Sequence, residues 1–212
     1  TPLTLGTHWL DPNFVDNKSL VFAGSYSGNT EETLNCYREA VKRKCSIVSV
    51  TSGGRLLEWS KRLGIPFIQI PTGYQPRETI PYLFFAVIGC LEKLGLDLSQ
   101  DKKEFLGVIP KIELSRIDAL AEKIKDSVPV VYGSSEFSGV LRRIKSELNE
   151  NSKMLAKVEE LPEMNHNEIV GYELSSYPFV SAVFLREEDE KRETLKRIEL
   201  TKEIVGNKVK NV

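Results

Sequence analysis

The sequence predicts an α/β protein with two subdomains, each a parallel sheet flanked by helices. Three short runs in the first half, at residues 19–24, 46–51 and 65–70, are apolar and rich in β-branched residues. Turn residues bound each run, as is typical of strands that are buried on both faces. Segments with helical spacing separate the runs, so the order is strand, helix, strand, helix, strand. That succession indicates parallel βαβ units.

Two helices are predicted between these strands, over residues 30–44 and 53–63, because each segment combines helical spacing with a polar face. After Pro76, residues 78–94 are apolar on nearly all sides, which predicts a buried helix covered by a domain or subunit interface. The polar stretch 95–110 is predicted to be an irregular boundary segment.

The second half repeats the alternation of strands and helices. A buried strand is predicted over residues 128–132, and it ends in the turn Gly133-Ser134-Ser135. The other predicted elements are a helix at 112–126, a helix at 137–150, strands at 154–159 and 180–185, and a charged helix at 188–204. We therefore expect the first subdomain at 1–96 and the second at 97–212.

The composition excludes several classes of protein. Of 212 residues, 41% are hydrophobic and 28% charged, which is a globular composition and not a disordered or fibrous one. Lys and Arg total 29 and Asp and Glu total 30, so a net charge of −1 offers no basic field for nucleic acid. The longest apolar run, 82–91, is shorter than the roughly 20 residues that span a bilayer. Neither a nucleic-acid nor a membrane partner is expected.

Three cysteines, at positions 36, 45 and 90, show no C-x-x-C spacing, so neither a disulfide framework nor a zinc site is predicted. This pattern favours a reducing, cytoplasmic setting. The chain begins at Thr1 without a signal-peptide pattern, and we expect it to be a fragment of a longer protein.

The first candidate site is the turn between the first predicted strand and helix. The hydroxyls of Ser25, Ser27 and Thr30 lie where a helix start exposes unpaired N–H groups, and together they can complete the hydrogen-bond shell of a phosphate. An ordinary helix cap would account for Asn29 or Thr30 alone. Nucleotide motifs are absent, and Tyr26 replaces the nucleophile of a serine-hydrolase elbow. The turn therefore favours a small phosphorylated metabolite.

Five motifs are spread over the chain: S-Y-S-G-N-T-E-E-T-L at 25–34, S-G-G at 52–54, Q-P-R at 75–77, L-N-E-N at 148–151 and E-L-P-E-M-N-H-N-E at 160–168. Together they resemble the bifunctional phosphoglucose/phosphomannose isomerases, which belong to the SIS (sugar isomerase) fold group. The resemblance extends from about Leu10 onward, and the last motif is the most specific. It implies two flavodoxin-like, doubly wound SIS subdomains and interconversion of glucose 6-phosphate or mannose 6-phosphate with fructose 6-phosphate.

The resemblance also implies a role for six residues. Those roles are phosphate binding by Ser25, Ser27 and Thr30, enediolate stabilisation by Arg77, proton transfer by Glu150 and ring opening by His166. No metal or organic cofactor is implied. The family's histidine comes from a neighbouring subunit, so a homodimer with its active site near the subunit interface is expected. The family's first βα turn and its C-terminal lysine helix are not found, so truncation at both ends is expected.

Two of these residues also fit their roles on physical grounds. Glu150 lies at the predicted C-terminal end of a helix, where the dipole disfavours a carboxylate and so favours proton uptake. His166 can exchange protons near neutral pH, and the amides of Asn165 and Asn167 are expected to fix one imidazole tautomer. Surface positions without function are the alternative for both residues. We interpret His8 as a surface histidine without function.

Arg77 precedes the apolar helix, where the positive end of the dipole makes a cation unfavourable for stability. Stabilisation of a developing enediolate would account for it, and a surface arginine is the alternative. Other functions also stay open. A non-catalytic SIS module that binds a sugar phosphate would need the serine turn but neither Glu150 nor His166, and an amide-transferring or epimerising SIS enzyme would share the turn.

Overall fold

The computed structural model describes residues 14–187 and 189–212, which separate into two compact units. The first unit ends at Pro110, and the second comprises Lys111–Val212. The interpretation of His8 and the beginning of the family resemblance near Leu10 lie outside the described residues. Among the described residues, no helix is long and apolar enough to cross a membrane.

Within residues 14–110, three parallel strands form a sheet in the order β1-β2-β3. The strands are β1 (Leu20–Gly24), β2 (Ser46–Thr51) and β3 (Phe67–Gln69), and the helices α1 (Glu31–Lys42) and α2 (Gly54–Leu63) connect them. Buried residues of both helices, among them Leu34, Tyr37 and Leu56, pack with Ala23 and Ile47 of the sheet. The βαβ succession predicted from the apolar runs is confirmed.

Helix α3 (Ile80–Lys93) forms as predicted, but it contains no fully buried residue among those described. Phe84, for example, is 51% exposed. The expectation of a buried helix is therefore not met by the packing of this chain alone.

The stretch 95–110, predicted to be irregular, contains a further helix, α4 (Ser99–Val108). Just before this helix, the Asp97 carboxylate accepts hydrogen bonds from the Ser99 N–H at 3.1 Å and from the Ser99 hydroxyl at 2.6 Å. Lys102 pairs with Glu92 of α3 at 2.7 Å. These contacts join α4 to the first unit, which extends to Pro110. The subdomain boundary after residue 96 stays a prediction.

In the second unit, four described strands form a parallel sheet in the order β5-β4-β6-β7. They are β4 (Val128–Ser134), β5 (Lys157–Leu161), β6 (Tyr177–Phe184) and β7 (Val209–Asn211), with helices α5 (Leu114–Ile124), α6 (Ser138–Glu150) and α7 (Arg192–Gly206). Tyr132, Met164 and Ile198 lie in its buried core. The strand predicted at 154–159 begins later than expected, and β7 was not predicted.

Candidate active site

The turn after β1 brings the three predicted phosphate-binding hydroxyls together. Ser25 is buried, and its Oγ lies 2.9 Å from Thr30 Oγ1 and accepts a hydrogen bond from the Gly28 N–H at 3.1 Å. Ser27 Oγ accepts from the Asn29 N–H at 3.2 Å. Ser27 and Thr30 are exposed. The turn therefore has one buried hydroxyl that organises it and two that face solvent.

The turn after β2 supports the first turn. The Tyr26 carbonyl accepts hydrogen bonds from the Ser52 N–H at 3.0 Å and the Ser52 hydroxyl at 2.7 Å, and the Leu56 N–H donates to the Gly28 carbonyl at 3.0 Å. Gly28 has a φ of +66°, and a Cβ at this position would clash with the carbonyl of Gly53. Glycine is required here because the two backbones approach each other so closely. This contact explains why S-G-G accompanies the serine turn.

Arg55, in the first turn of α2, adds a positive charge beside the phosphate-binding candidate. Its guanidinium pairs with Glu31 at 2.6 Å and donates to the Asn29 carbonyl at 3.3 Å. The hydrogen bond from Arg55 lowers the pKa of Glu31, which therefore stays ionised and paired. The sequence analysis missed Arg55, although its position directly after S-G-G was the signal that could have identified it.

Tyr26 connects the serine turn to the segment that carries Arg77. Its hydroxyl accepts a hydrogen bond from the Tyr74 N–H at 2.9 Å, and the Tyr74 hydroxyl accepts from the Tyr82 hydroxyl at 3.2 Å. Arg77 follows in the short helical turn Pro76–Glu78 and is half-buried. The Tyr26 hydroxyl thus joins the segment that precedes Arg77 to the phosphate-binding candidate.

Glu150 is the last residue of α6 and is exposed, so its predicted position at a helix end is correct. The ammonium group of Lys153 donates to the Glu150 carbonyl at 2.5 Å, which satisfies one of the helix's terminal carbonyls. Its role as the base stays a prediction.

His166 is exposed on the segment between β5 and β6, and its backbone N–H donates to the Glu163 carbonyl at 2.9 Å. The neighbouring amides bond elsewhere. Asn165 Nδ2 donates to Thr201 Oγ1 at 2.8 Å, and Asn167 Nδ2 donates to Glu163 Oε1 at 2.9 Å. The expectation that these amides fix the imidazole tautomer is wrong, because they hold the segment itself.

A buried tyrosine anchors this segment two residues beyond His166. The hydroxyl of Tyr132, a fully buried residue of β4, donates to Glu168 Oε1 at 2.7 Å and lies 2.8 Å from the Tyr172 hydroxyl. Burial raises the pKa of Tyr132. Burial and the charge of Glu168 raise the pKa of Glu159, the partner of Tyr132 across the sheet. The sequence analysis missed this anchor, although Glu168 closes the most specific motif.

Comparison with known proteins identifies the family of this chain. Residues 114–212 match the family described as the bacterial phospho-glucose isomerase C-terminal SIS domain. The whole chain is 34% identical to the bifunctional phosphoglucose/phosphomannose isomerase of Caldicellulosiruptor bescii and covers 67% of that protein. The chain belongs to the bifunctional phosphoglucose/phosphomannose isomerase family.

A second member of the family, the bifunctional phosphoglucose/phosphomannose isomerase of Aquifex aeolicus, is 38% identical over 92% of this chain and 61% of its own length. The chain thus spans about three-fifths to two-thirds of the length of these two family members. The crystal structure of glucosamine-6-phosphate deaminase from Thermotoga maritima superposes with a TM-score of 0.70 at 18% identity, covering 95% of this chain and 62% of that one. This likeness supports the SIS fold of the isomerase family.

Proposed function

We propose that this chain carries the substrate site of an aldose–ketose isomerase that interconverts glucose 6-phosphate or mannose 6-phosphate with fructose 6-phosphate. The grouping of Ser25, Ser27 and Thr30 in one turn carries this proposal, and family membership supports it. The proposal needs no metal or organic cofactor. It includes a homodimer, which rests on the family resemblance, and a cytoplasmic location, which rests on the cysteine pattern of the sequence.

In this proposal the serine turn holds the phosphate of the substrate. The exposed hydroxyls of Ser27 and Thr30 rotate to donate to phosphate oxygens, and the Ser25 hydroxyl keeps Thr30 in place. The unpaired N–H groups of the first turn of α1 add further donors. Arg55 offsets the charge of Glu31, so the carboxylate repels the phosphate less.

The proton transfers are assigned to the second unit. His166 protonates the ring oxygen O5 as the C1–O5 bond breaks, and the anomeric hydroxyl releases its proton to water, which leaves the open-chain aldehyde. Glu150 then removes the proton from C2 of the aldose, the electron pair forms the enediolate, and the same carboxyl returns the proton to C1. The hydroxyl proton at O2 moves to O1, and Arg77 stabilises the negative charge between the two transfers.

One intermediate serves both aldoses. The enediolate has no stereocentre at C2, so proton return to either face of C2 gives glucose 6-phosphate or mannose 6-phosphate if the intermediate can rotate about C2–C3. The residues of the serine turn bind the phosphate end of the sugar, far from C2, and cannot distinguish the two configurations at C2. Discrimination between the two aldoses therefore belongs to groups outside the serine turn, for which Glu150, Arg77 and parts of the enzyme other than this chain are the candidates.

Solvent exchange tests the proposal. Incubation of fructose 6-phosphate with the complete enzyme that contains this chain, in deuterated water, should place deuterium at C2 of both aldoses. Glu150→Gln should abolish this exchange and leave substrate binding intact. Glu203→Gln is the matched control, because Glu203 is another exposed carboxylate, on α7, that has no proposed role. Exchange retained by Glu150→Gln would assign the base to another residue, and no exchange by the unaltered protein would favour a non-catalytic phosphosugar-binding module.

A further inference from the structure

Tyr26 lies in the middle of the serine turn, but its hydroxyl group bonds elsewhere. The residue is half-buried between Ser25 and Ser27. Its hydroxyl accepts a hydrogen bond from the backbone N–H of Tyr74, 48 positions along the chain, at 2.9 Å. The proposed phosphate site does not use this hydroxyl, so its contact with a distant segment of the first unit has a separate explanation.

The backbone of Tyr26 is held firmly at the end of β2. Its carbonyl accepts hydrogen bonds from the Ser52 N–H at 3.0 Å, the Ser52 hydroxyl at 2.7 Å and the Thr51 hydroxyl at 3.3 Å. Few rotatable bonds separate a tyrosine ring from its backbone. The Tyr26 hydroxyl is therefore a rigid support for whatever bonds to it.

The segment that donates to Tyr26 has little packing of its own. Residues 71–76 are all exposed, and an exposed stretch with few apolar contacts opens more readily than a buried one. The segment is fixed at its beginning, where the Ile70 N–H donates to the Thr51 carbonyl at 3.0 Å. It is fixed again at its end, where the hydroxyl of the buried Thr79 donates to the Pro76 carbonyl at 2.7 Å. The contact with Tyr26 falls between these two points.

Tyr74 has a second contact, with α3. Its hydroxyl accepts a hydrogen bond from the Tyr82 hydroxyl at 3.2 Å, and the centroids of the two rings lie 5.4 Å apart. This pair joins the segment to α3, whereas the Tyr26 hydroxyl joins it to the serine turn. The two contacts therefore fix the segment in different directions.

Arg77 follows in a turn that is closed by its own hydrogen bonds. The Glu78 N–H donates to the Gln75 carbonyl at 2.9 Å, and the Glu78 carboxylate accepts from the Gln75 N–H at 3.2 Å. A closed turn keeps its shape while it pivots as a whole. The position of Arg77 therefore depends on what holds the chain on either side of the turn, at Tyr74 and at Thr79.

The isomerase reaction needs Arg77 at a set distance from the serine turn. The carbon chain of the substrate fixes the separation between its phosphate and the reacting carbons C1 and C2. A group that stabilises the enediolate loses much of its effect when it is displaced by a fraction of a bond length or more. Tyr26 belongs to the turn proposed to bind the phosphate and bonds to the segment that leads to Arg77.

We infer that Tyr26 is a positioning residue of the isomerase, whose hydroxyl holds the Arg77 segment at the distance from the serine turn that the reaction needs. This inference rests on the proposed function, in which Arg77 stabilises the enediolate. The donors proposed for the phosphate, Ser27 and Thr30, do not depend on the Tyr26 hydroxyl. Its loss should therefore lower kcat and leave KM nearly unchanged.

Hydrogen exchange of the complete enzyme that contains this chain tests the structural part of the inference. Tyr26→Phe keeps the ring and removes the acceptor, so exchange over residues 75–79, measured by mass spectrometry, should become about three- to tenfold faster. Tyr37→Phe is the matched control, because Tyr37 is a buried tyrosine of the same unit whose hydroxyl accepts from Ser60 Oγ at 3.4 Å. It should leave residues 75–79 unchanged. Equal exchange there in the two variants would overturn the inference, whatever the kinetics show.

Steady-state kinetics with fructose 6-phosphate test the action through Arg77. Tyr26→Phe should lower kcat by about three- to tenfold, whereas Tyr37→Phe should leave it unchanged. In an Arg77→Gln background, Tyr26→Phe should have little further effect, because a residue that acts through the guanidinium loses its influence once that group is absent.

Two kinetic outcomes separate this inference from the proposed function. A fall in kcat of the same size with and without Arg77 would overturn the action of Tyr26 through that arginine. An unchanged kcat in Arg77→Gln alone would contradict the role of Arg77 in the proposed function and with it the catalytic consequence of the Tyr26 contact. The exchange over residues 75–79 decides in either case whether Tyr26 holds the segment.

Discussion

Replacing Tyr132 by phenylalanine tests whether a buried hydroxyl holds the segment that carries His166. The substitution removes the hydrogen bond to Glu168 and the contact with the Tyr172 hydroxyl. It keeps the ring, which stacks on Phe184 with centroids 5.1 Å apart, so little packing is lost. The effect should therefore come almost entirely from the lost hydrogen bonds.

The expected loss of stability follows from the two hydrogen-bond partners of the Tyr132 hydroxyl. A hydrogen bond to a charged group contributes about 1.5–3 kcal/mol and a neutral one about 0.5–1.5 kcal/mol. Glu168 is half-buried and can recover part of its bond from water. We therefore expect the free energy of unfolding of the second unit to fall by about 2–3 kcal/mol, which is roughly a 30- to 150-fold change in the unfolding equilibrium.

Hydrogen exchange of the β4 amides measures this loss within the second unit. Protection of the Val130 and Val131 amides should fall by about 30- to 150-fold. Tyr177→Phe is the matched control, because within the described part of the chain its hydroxyl donates to the Gly171 carbonyl, at 3.0 Å, in an exposed position. Its effect should be below about tenfold. Equal protection factors in Tyr132→Phe and Tyr177→Phe would refute the anchoring role of Tyr132.

Three further changes test the other features of the structure. Alanine at both Ser27 and Thr30 should raise KM for a sugar phosphate, by about tenfold or more for each charge-assisted hydrogen bond, and an unchanged KM in a coupled assay would end the phosphate assignment. Gly28→Ala should lower the thermal midpoint of unfolding of the first unit, because it places a side chain at a φ of +66° against the neighbouring turn, and calorimetry would detect a loss of about 1–3 kcal/mol. Glu159→Gln should stabilise the second unit at pH 7 more than at pH 4. Burial first and then the charge of Glu168 raise the pKa of Glu159, so this carboxyl favours folding in its protonated form, and that contribution is lost as pH rises through the folded pKa. A gain in the midpoint of unfolding of Glu159→Gln over the unaltered protein that is equal at pH 7 and pH 4 would contradict this prediction.

Local patterns were sufficient for most elements of the fold. The run over 46–51 coincides with β2, and the helix predicted to end at Glu150 does end there. Apolar runs and helical periodicity are properties of neighbouring residues, so they are visible in the chain before it folds. Helix α4 was missed because its polar composition resembles a linker. Its contacts with α3 through Lys102 become visible only when the two helices pack.

The residues of the candidate site likewise separate into those that the sequence predicted and those that only the structure revealed. Ser25, Ser27 and Thr30 were predicted together because they lie within one turn, where spacing along the chain determines spacing in the structure. Arg55 joins this turn from the next βα unit and was missed.

The βαβ order, the serine turn and the helix-end position of Glu150 could be predicted from the sequence, because each depends on residues close together in the chain. Folding alone brings Tyr132 to Glu168, 36 positions along the chain, and Tyr26 to the Tyr74 backbone, 48 positions along the chain. These contacts arise from parallel strand pairing, which brings the ends of distant strands to one edge of a sheet and leaves no local trace in the sequence.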